Sequence, residues 1–170
     1  MPKYSSYANQ CYRLVWSVCS LLFIRLSLRP FYEWRRFVLN LFGANLHLSA
    51  RIYPTTIIYD PRKLIMGPNS CMADHVICYN VDFVHISSGS TISQYTHLCT
   101  AGHDIYGPEF SLTTSPIFIG SHVWVCSNCF VSPGAVLADN SVLLPCSCLV
   151  KCTYPNSIFS GVPAKLMKYR

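Results

Sequence analysis

Between residues 119 and 149 every sixth residue is a branched aliphatic: Ile119, Val125, Val131, Leu137, Leu143 and Leu149 follow at a constant step with no gap. That step excludes the two commonest elements. A helix returns to one face every 3.6 residues, and a long strand would repeat its apolar side at every second residue. A short strand followed by a turn, repeated every six residues, does give this period. Three such units close one triangular coil, and stacked coils let each strand pair in parallel with the strands before and after it. Four residues after each aliphatic comes a smaller one, Val123, Cys129, Ala135, Ser141, Ser147 and Thr153, so each hexad has one large inward position and one tight one. Turn formers such as Gly67-Pro68-Asn69, Asp74, Pro133-Gly134 and Asp139-Asn140 fall between the aliphatics, where corners belong. Earlier hexads are less regular: Met66, Met72 and Cys78 form one set, and Ile86, Ile92 and Leu98 a second, displaced by two residues at Asp82-Phe83. The expected fold is all-β, a parallel β-helix of hexapeptide repeats.

With 51% hydrophobic and 12% charged residues, the 170-residue chain can bury one core and is not expected to be disordered. Its formal charge of +6 gathers toward the two ends, as Arg13, Arg25, Arg29, Arg35 and Arg36, then Lys165, Lys168 and Arg170. That balance suits a phosphorylated cofactor or an acidic membrane surface, whereas no recognition spacing or aromatic-basic interleaving favours nucleic acid. Ten cysteines raise the question of a disulfide framework. The apolar run Leu14 to Ile24 is followed by no small-residue cleavage site, so export is not supported and reduced thiols in a cytoplasm are expected. The run is 11 residues long, short of the roughly 20 that span a bilayer. Cys126-x-x-Cys129 and Cys146-x-Cys148 resemble zinc-ligand spacing but occupy different phases of the hexad, so they are expected to be small buried hydrophobes, with no metal site.

Residues 1–48 have another texture. Aromatics, leucines and arginines, broken once by Pro30, predict two short amphipathic helices, with Leu14, Val18, Leu21 and Leu22 as the apolar stripe of the first. Such helices are expected to pack on the following domain, residues 49–170. Arg-flanked and carrying Trp16 and Trp34, they also suit a peripheral contact with the inner face of a membrane.

The hexads are interrupted once in the second half, by the loop 99–116, and they end in an extension over residues 154–170. A prism exposes mostly flat faces, so a protruding loop carrying Gly102, His103 and Asp104 is the natural wall of a cleft. Here the sequence resembles a known family. RIYP at 51–54, CYN at 78–80, LCTAGHD at 98–104, SPIFIGSHVWV at 115–125, VSPGAVL at 131–137 and SGVPAKLMK at 160–168 resemble the hexapeptide-repeat O-acetyltransferases of the galactoside and maltose type, and among them the colanic-acid and exopolysaccharide acetyltransferases. RPFYEWRRFVLNLFGA at 29–44 is similar too.

The resemblance implies a left-handed parallel β-helix assembled as a homotrimer, with active sites between subunits. It implies an acyltransferase that uses acetyl-CoA and no metal to acetylate a sugar or glycolipid hydroxyl in surface polysaccharide biosynthesis. The family's general base falls on His103. An imidazole suits the task, because with an ordinary pKa of about 6.5 it is largely neutral at physiological pH and can accept the hydroxyl proton as oxygen attacks a thioester. His97 is the runner-up by position. On the acceptor side the family's asparagine falls on Asn80, and Asp104 is expected to orient His103 or to bind a sugar hydroxyl. Along the cofactor the resemblance places Trp124 and Ser127, with Lys151 and Lys165 toward the nucleotide phosphates. The sequence departs from the family at Cys126, Ser132 and Leu144, where a glycine or alanine is usual, and in CTYPNS after Lys151, which leaves a non-catalytic scaffold or degenerate homologue as the alternative.

Overall fold

Each hexad affords two or three extended residues before its turn, and the computed structural model, which describes residues 7–170, has strands of that length wound into a three-sided prism. Face one stacks the parallel strands Asn45–Leu46, Leu64–Met66, Val84–Ile86, Ile117–Ile119 and Val136–Leu137. Face two stacks Arg51–Ile52, Cys71–Met72, Thr91–Ile92, Trp124–Val125, Val142–Leu143 and Ser157–Gly161, then turns back antiparallel as Ala164–Tyr169. Face three stacks Ile57–Ile58, Ile77–Tyr79, His97–Cys99, Phe130–Val131 and Cys148–Leu149. The chain thus passes from face one to two to three and begins again.

All six aliphatics of the unbroken run are buried, and so are all six residues of the tight slot. Identical phases stack in register, Val125 on Leu143 and Val131 on Leu149, so the interior is a set of continuous apolar ladders. The displacement at Asp82-Phe83 has a simple geometric origin. Ile52 pairs with Met72 and Met72 with Ile92, twenty residues per coil, whereas Val125 pairs with Leu143, eighteen residues on. Both longer early coils place their two extra residues at the corner from face three to face one, where Pro61–Lys63 forms a 3-10 turn. Elsewhere the corners are tight. Asn69, Asn128, Asn140 and Asn156 turn with φ between 53° and 57°, a left-handed conformation that asparagine tolerates better than most residues.

The N-terminal segment closes one end of the prism. Residues 1–6 of the expected helical segment lie outside the described residues. Helix α1 spans Tyr7–Cys19 and continues as a π-helical turn over Ser20–Arg25, and α2 spans Tyr32–Leu41. Alternate residues of a parallel strand bond to opposite neighbours, so some carbonyls of the first coil have no coil before them. In the second coil the carbonyls of Met66, Ser70, Met72 and Cys78 accept amides of His47, Arg51, Tyr53 and Tyr59. Their first-coil equivalents accept side chains of the helical layer instead. Asn40 Nδ2 donates to Leu46 O at 3.3 Å, Arg36 Nη1 to Ala50 O at 3.3 Å, Arg35 Nε to Ile52 O at 2.6 Å and Trp16 Nε1 to Ile58 O at 2.8 Å.

This capping corrects the stripe expected for α1. Leu14, Val18, Leu21 and Leu22 are exposed, while Trp16 and Ile24 are buried against the coil. Leucine would leave the Ile58 carbonyl unsatisfied, at a cost of about 1–3 kcal/mol, whereas an indole fills the same space and donates to it. Arg35 is likewise wholly buried, so one of the arginines read as facing an anionic partner is a structural donor.

Candidate functional site

The loop expected at 99–116 is largely a β-hairpin. It leaves the prism at the same corner that takes the extra residues in earlier coils, between His97–Cys99 of face three and Ile117–Ile119 of face one. Ala101–His103 pairs antiparallel with Leu112–Thr114, with His103 opposite Leu112. Buried Thr100 anchors the root. Its hydroxyl donates to Tyr79 O at 3.1 Å and accepts Asp82 N at 2.8 Å, and its carbonyl accepts Ser115 N at 2.9 Å. Toward the tip, Asp104 N donates to Ser111 O at 2.9 Å.

His103 is exposed on this arm, with Nδ1 2.6 Å from the carbonyl oxygen of Phe110. A carbonyl can only accept, so Nδ1 must carry a proton. In the neutral ring that leaves Nε2 bare, with a lone pair available to take a proton. The hairpin therefore presents an oriented imidazole with Nε2 facing away from its main-chain partner. The orienting group is a main-chain carbonyl, which no side-chain motif could have revealed. Asp104 makes no hydrogen bond to His103 among the described residues. Its Oδ1 accepts Tyr106 N at 3.0 Å and shapes the tip, where a Cβ on Gly107 would lie 3.0 Å from Oδ2.

Asn80 is placed where an acceptor cannot reach it. The residue is fully buried; its Oδ1 accepts Asp60 N at 3.0 Å and its Nδ2 donates to Asp60 O at 2.6 Å. Both ends of the amide are spent joining two coils at the corner below the hairpin, so it supports the root of the site rather than its opening.

Trp124 lies on face two, about half exposed, with its indole N–H donating to Ser93 Oγ at 3.0 Å. It lines a groove of about 710 Å³ together with Ser93, His122 and Arg170; the sequence marks Arg170 only as part of the basic C-terminal end and gives Ser93 and His122 no role. Their common signal is coil register, since Trp124 pairs with Thr91 across the hairpin insertion and with Val142 in the following coil. Ser127 follows at the next corner, where its carbonyl accepts Cys146 N at 3.1 Å. Lys151 leaves face three after Cys148–Leu149 and lines a second hollow, of about 360 Å³, with Cys152, Pro163 and Ala164. Lys165 follows on the returning strand, with its Cα paired to Ser160, so the structure brings the two lysine-bearing segments together. It does not bring His103 and Trp124 together within one chain, because the hairpin springs from the corner of faces three and one while the tryptophan stands on face two.

A cavity of about 870 Å³ lies at the helical end and shares no residue with the hairpin. Runner-up His97 sits under Phe130, with ring centroids 5.2 Å apart, and its Nε2 is buried without a hydrogen-bond partner. Burial lowers its pKa and suits a packed neutral ring. Among the described residues no group of three or more His, Cys, Asp and Glu side chains could hold a metal ion. The cysteines are free thiols, and burial pushes that of Cys129 up to about 11.

No protein-family model matches the chain. WcaF of Escherichia coli (strain K12), provisionally named a colanic acid biosynthesis acetyltransferase, is 34% identical over 158 residues, 93% of this chain and 86% of WcaF. A solved galactoside acetyltransferase in complex with coenzyme A superposes with a TM-score of 0.88 at 22% identity, covering 97% of this chain and 84% of that one. The hexapeptide-repeat acetyltransferase VCA0836 of Vibrio cholerae O1 biovar eltor, complexed with acetyl coenzyme A, gives 0.86 at 20% identity, covering 99% and 92%. At those identities the two solved structures establish the shared fold.

Proposed function

The chain belongs to the hexapeptide-repeat acetyltransferases, in the family of WcaF, and from that premise we propose that it transfers an acetyl group from acetyl-CoA to a sugar hydroxyl with His103 as general base. The observation that carries the assignment of the base is the 2.6 Å contact between His103 Nδ1 and the Phe110 carbonyl. As the hydroxyl oxygen bonds to the thioester carbonyl carbon, its proton passes to Nε2 and the ring becomes an imidazolium. The Nδ1–H stays directed at the carbonyl oxygen, which stabilises the developing positive charge. When the carbon–sulfur bond breaks, the imidazolium returns the proton to the departing sulfur, and the base is restored. No covalent acyl-enzyme is needed.

The residues of face two suit the other substrate. A long, flexible, polyanionic thioester needs an elongated groove with a flat apolar wall and cations at its ends. Trp124 supplies the wall and Arg170 a cation, while Lys151 and Lys165 lie further along the prism. Because one chain holds its base and this groove on different faces, the complete site is one copy's hairpin laid against face two of another, as in the trimer that the family resemblance implies. The acceptor class we infer is a sugar of a surface polysaccharide, in keeping with the colanic acid biosynthesis for which WcaF is named.

The test is turnover. Purified protein with acetyl-CoA and a panel of sugars and glycolipids should release free CoA, followed by chromatography because the exposed thiols of Cys11, Cys146 and Cys152 would consume a thiol reagent. His103→Ala should lower kcat by about 10²–10⁴-fold with an unchanged circular dichroism spectrum. Activity retained within a few-fold would remove His103 from the mechanism, and no turnover across the panel would favour a non-catalytic scaffold.

A further inference from the structure

We propose that the outward face of the N-terminal helical layer docks on an anionic lipid bilayer. One side of the layer faces the prism through Trp16, Ile24, Arg35 and Leu39. The opposite side is apolar and open. Leu26 is 71% exposed, Leu28 65% and Phe37 61%. The cavity at the edge between the layer and the first coils is walled by Leu22, Phe23, Leu26, Phe31 and Trp34, with Leu48, Ser49, Arg51 and Asn69 on the prism side.

Aromatic contacts make the two helices one surface. The rings of Phe23 and Trp34 are 6.2 Å apart, those of Trp34 and Phe37 6.0 Å, and the Trp34 indole donates to Phe23 O at 2.9 Å. A continuous exposed apolar surface of this kind marks an interaction site. No described helix is long and apolar enough to cross a membrane, so the layer can lie on a bilayer but not span it.

Charge decides between occupants. From residue 7 to residue 53 the chain carries six arginines and one acidic residue, Glu33, which lines the cavity beside Arg36 at 4.0 Å. Arg13 is engaged with Tyr59 and Arg35 is buried, while Arg36 and Arg51 line the cavity; Arg25 is exposed beside Leu21 in a neighbouring hollow, and exposed Arg29 pairs with Asp74 at 3.0 Å. A second copy of this chain would set like charges face to face. An anionic headgroup layer meets the arginines with opposite charge and takes the leucines and aromatics between its acyl chains, each arginine near the surface adding roughly fivefold to binding. The geometry is independent of the acetyl-transfer reading, although a surface-bound enzyme would meet a glycolipid acceptor in two dimensions.

Co-sedimentation of the full chain with vesicles tests the proposal. Equimolar phosphatidylcholine and phosphatidylglycerol vesicles should pellet the protein at low salt, and pure phosphatidylcholine vesicles should pellet it at least tenfold less. The double variant Leu26→Glu/Phe37→Glu should lose at least tenfold in affinity, and Arg25→Glu a smaller amount that high salt abolishes. Both sets of positions are exposed, and an unchanged melting temperature would establish that the variants fold. The proposal is overturned if the wild type ignores anionic vesicles, if the double variant binds as the wild type does, or if that variant alters only the oligomeric state, which would make the face a subunit contact.

Discussion

Replacing Arg35 by methionine, which keeps most of the side-chain volume and removes the guanidinium, should destabilise the protein by about 2–3 kcal/mol. Arg35 is wholly buried and forms no ion pair within 4 Å among the described residues. Its Nε donates to Ile52 O at 2.6 Å, Nη1 to Leu28 O at 2.8 Å and Ser27 Oγ at 2.9 Å, and Nη2 to Arg29 O at 2.6 Å. It thus ties the link between α1 and α2 to the first coil. In the variant, the carbonyls of Leu28 and Arg29 lie in an exposed segment and regain water, but Ile52 is buried and its carbonyl is stranded at a cost of about 1–3 kcal/mol. Loss of charge-assisted bonds adds to this, and relief of the cation's desolvation subtracts from it. The sum falls below the 3–5 kcal/mol typical of a broken buried ion pair, because the groups left behind are neutral. Urea unfolding at matched protein concentration should show the loss, with a melting temperature lower by about 5–10 °C. Hydrogen exchange should speed up first in residues 26–35. Arg35→Lys should lose about half as much, since a lysine keeps the charge but not the planar fork. A methionine variant as stable as the wild type would refute the reasoning, because it would mean that the buried cation costs as much to desolvate as its bonds return.

Acid should weaken the fold through His97. Burial lowers its pKa in the folded state below the ordinary 6.5, so the unfolded chain binds the proton first as pH falls and stability drops below about pH 6.5; a His97→Leu variant should flatten that part of a melting-temperature profile. Gly120→Ala should cost about 1–3 kcal/mol by thermal unfolding, because the new Cβ would lie 2.9 Å from Asp139 N and 3.0 Å from Leu137 O, both backbone atoms of the next coil. With its thiol pKa raised to about 11 and its side chain buried, Cys129 should resist iodoacetamide until the protein unfolds, as should buried Cys78 and Cys126, and peptide mass spectrometry would detect the labelling.

The prism was legible from residue 119 onward because the hexad is a local code: each aliphatic, tight residue and turn former answers only to its own position in a coil, and Ile119 to Leu149 all point inward as the step required. The break in that code also marked where the chain would leave the prism. The sequence alone could not show which side of α1 faces the coil, because that choice depends on carbonyls of Ile52 and Ile58 far along the chain, which Arg35 and Trp16 satisfy. Nor could it show that Asn80 is consumed by Asp60 one coil earlier, or that His103 is steered by the main chain at Phe110 rather than by Asp104. A repeating pattern of side chains is written in the residues themselves; the partners of backbone carbonyls are set only when distant segments come together, and in this protein those partners decide both the cap of the prism and the orientation of its histidine.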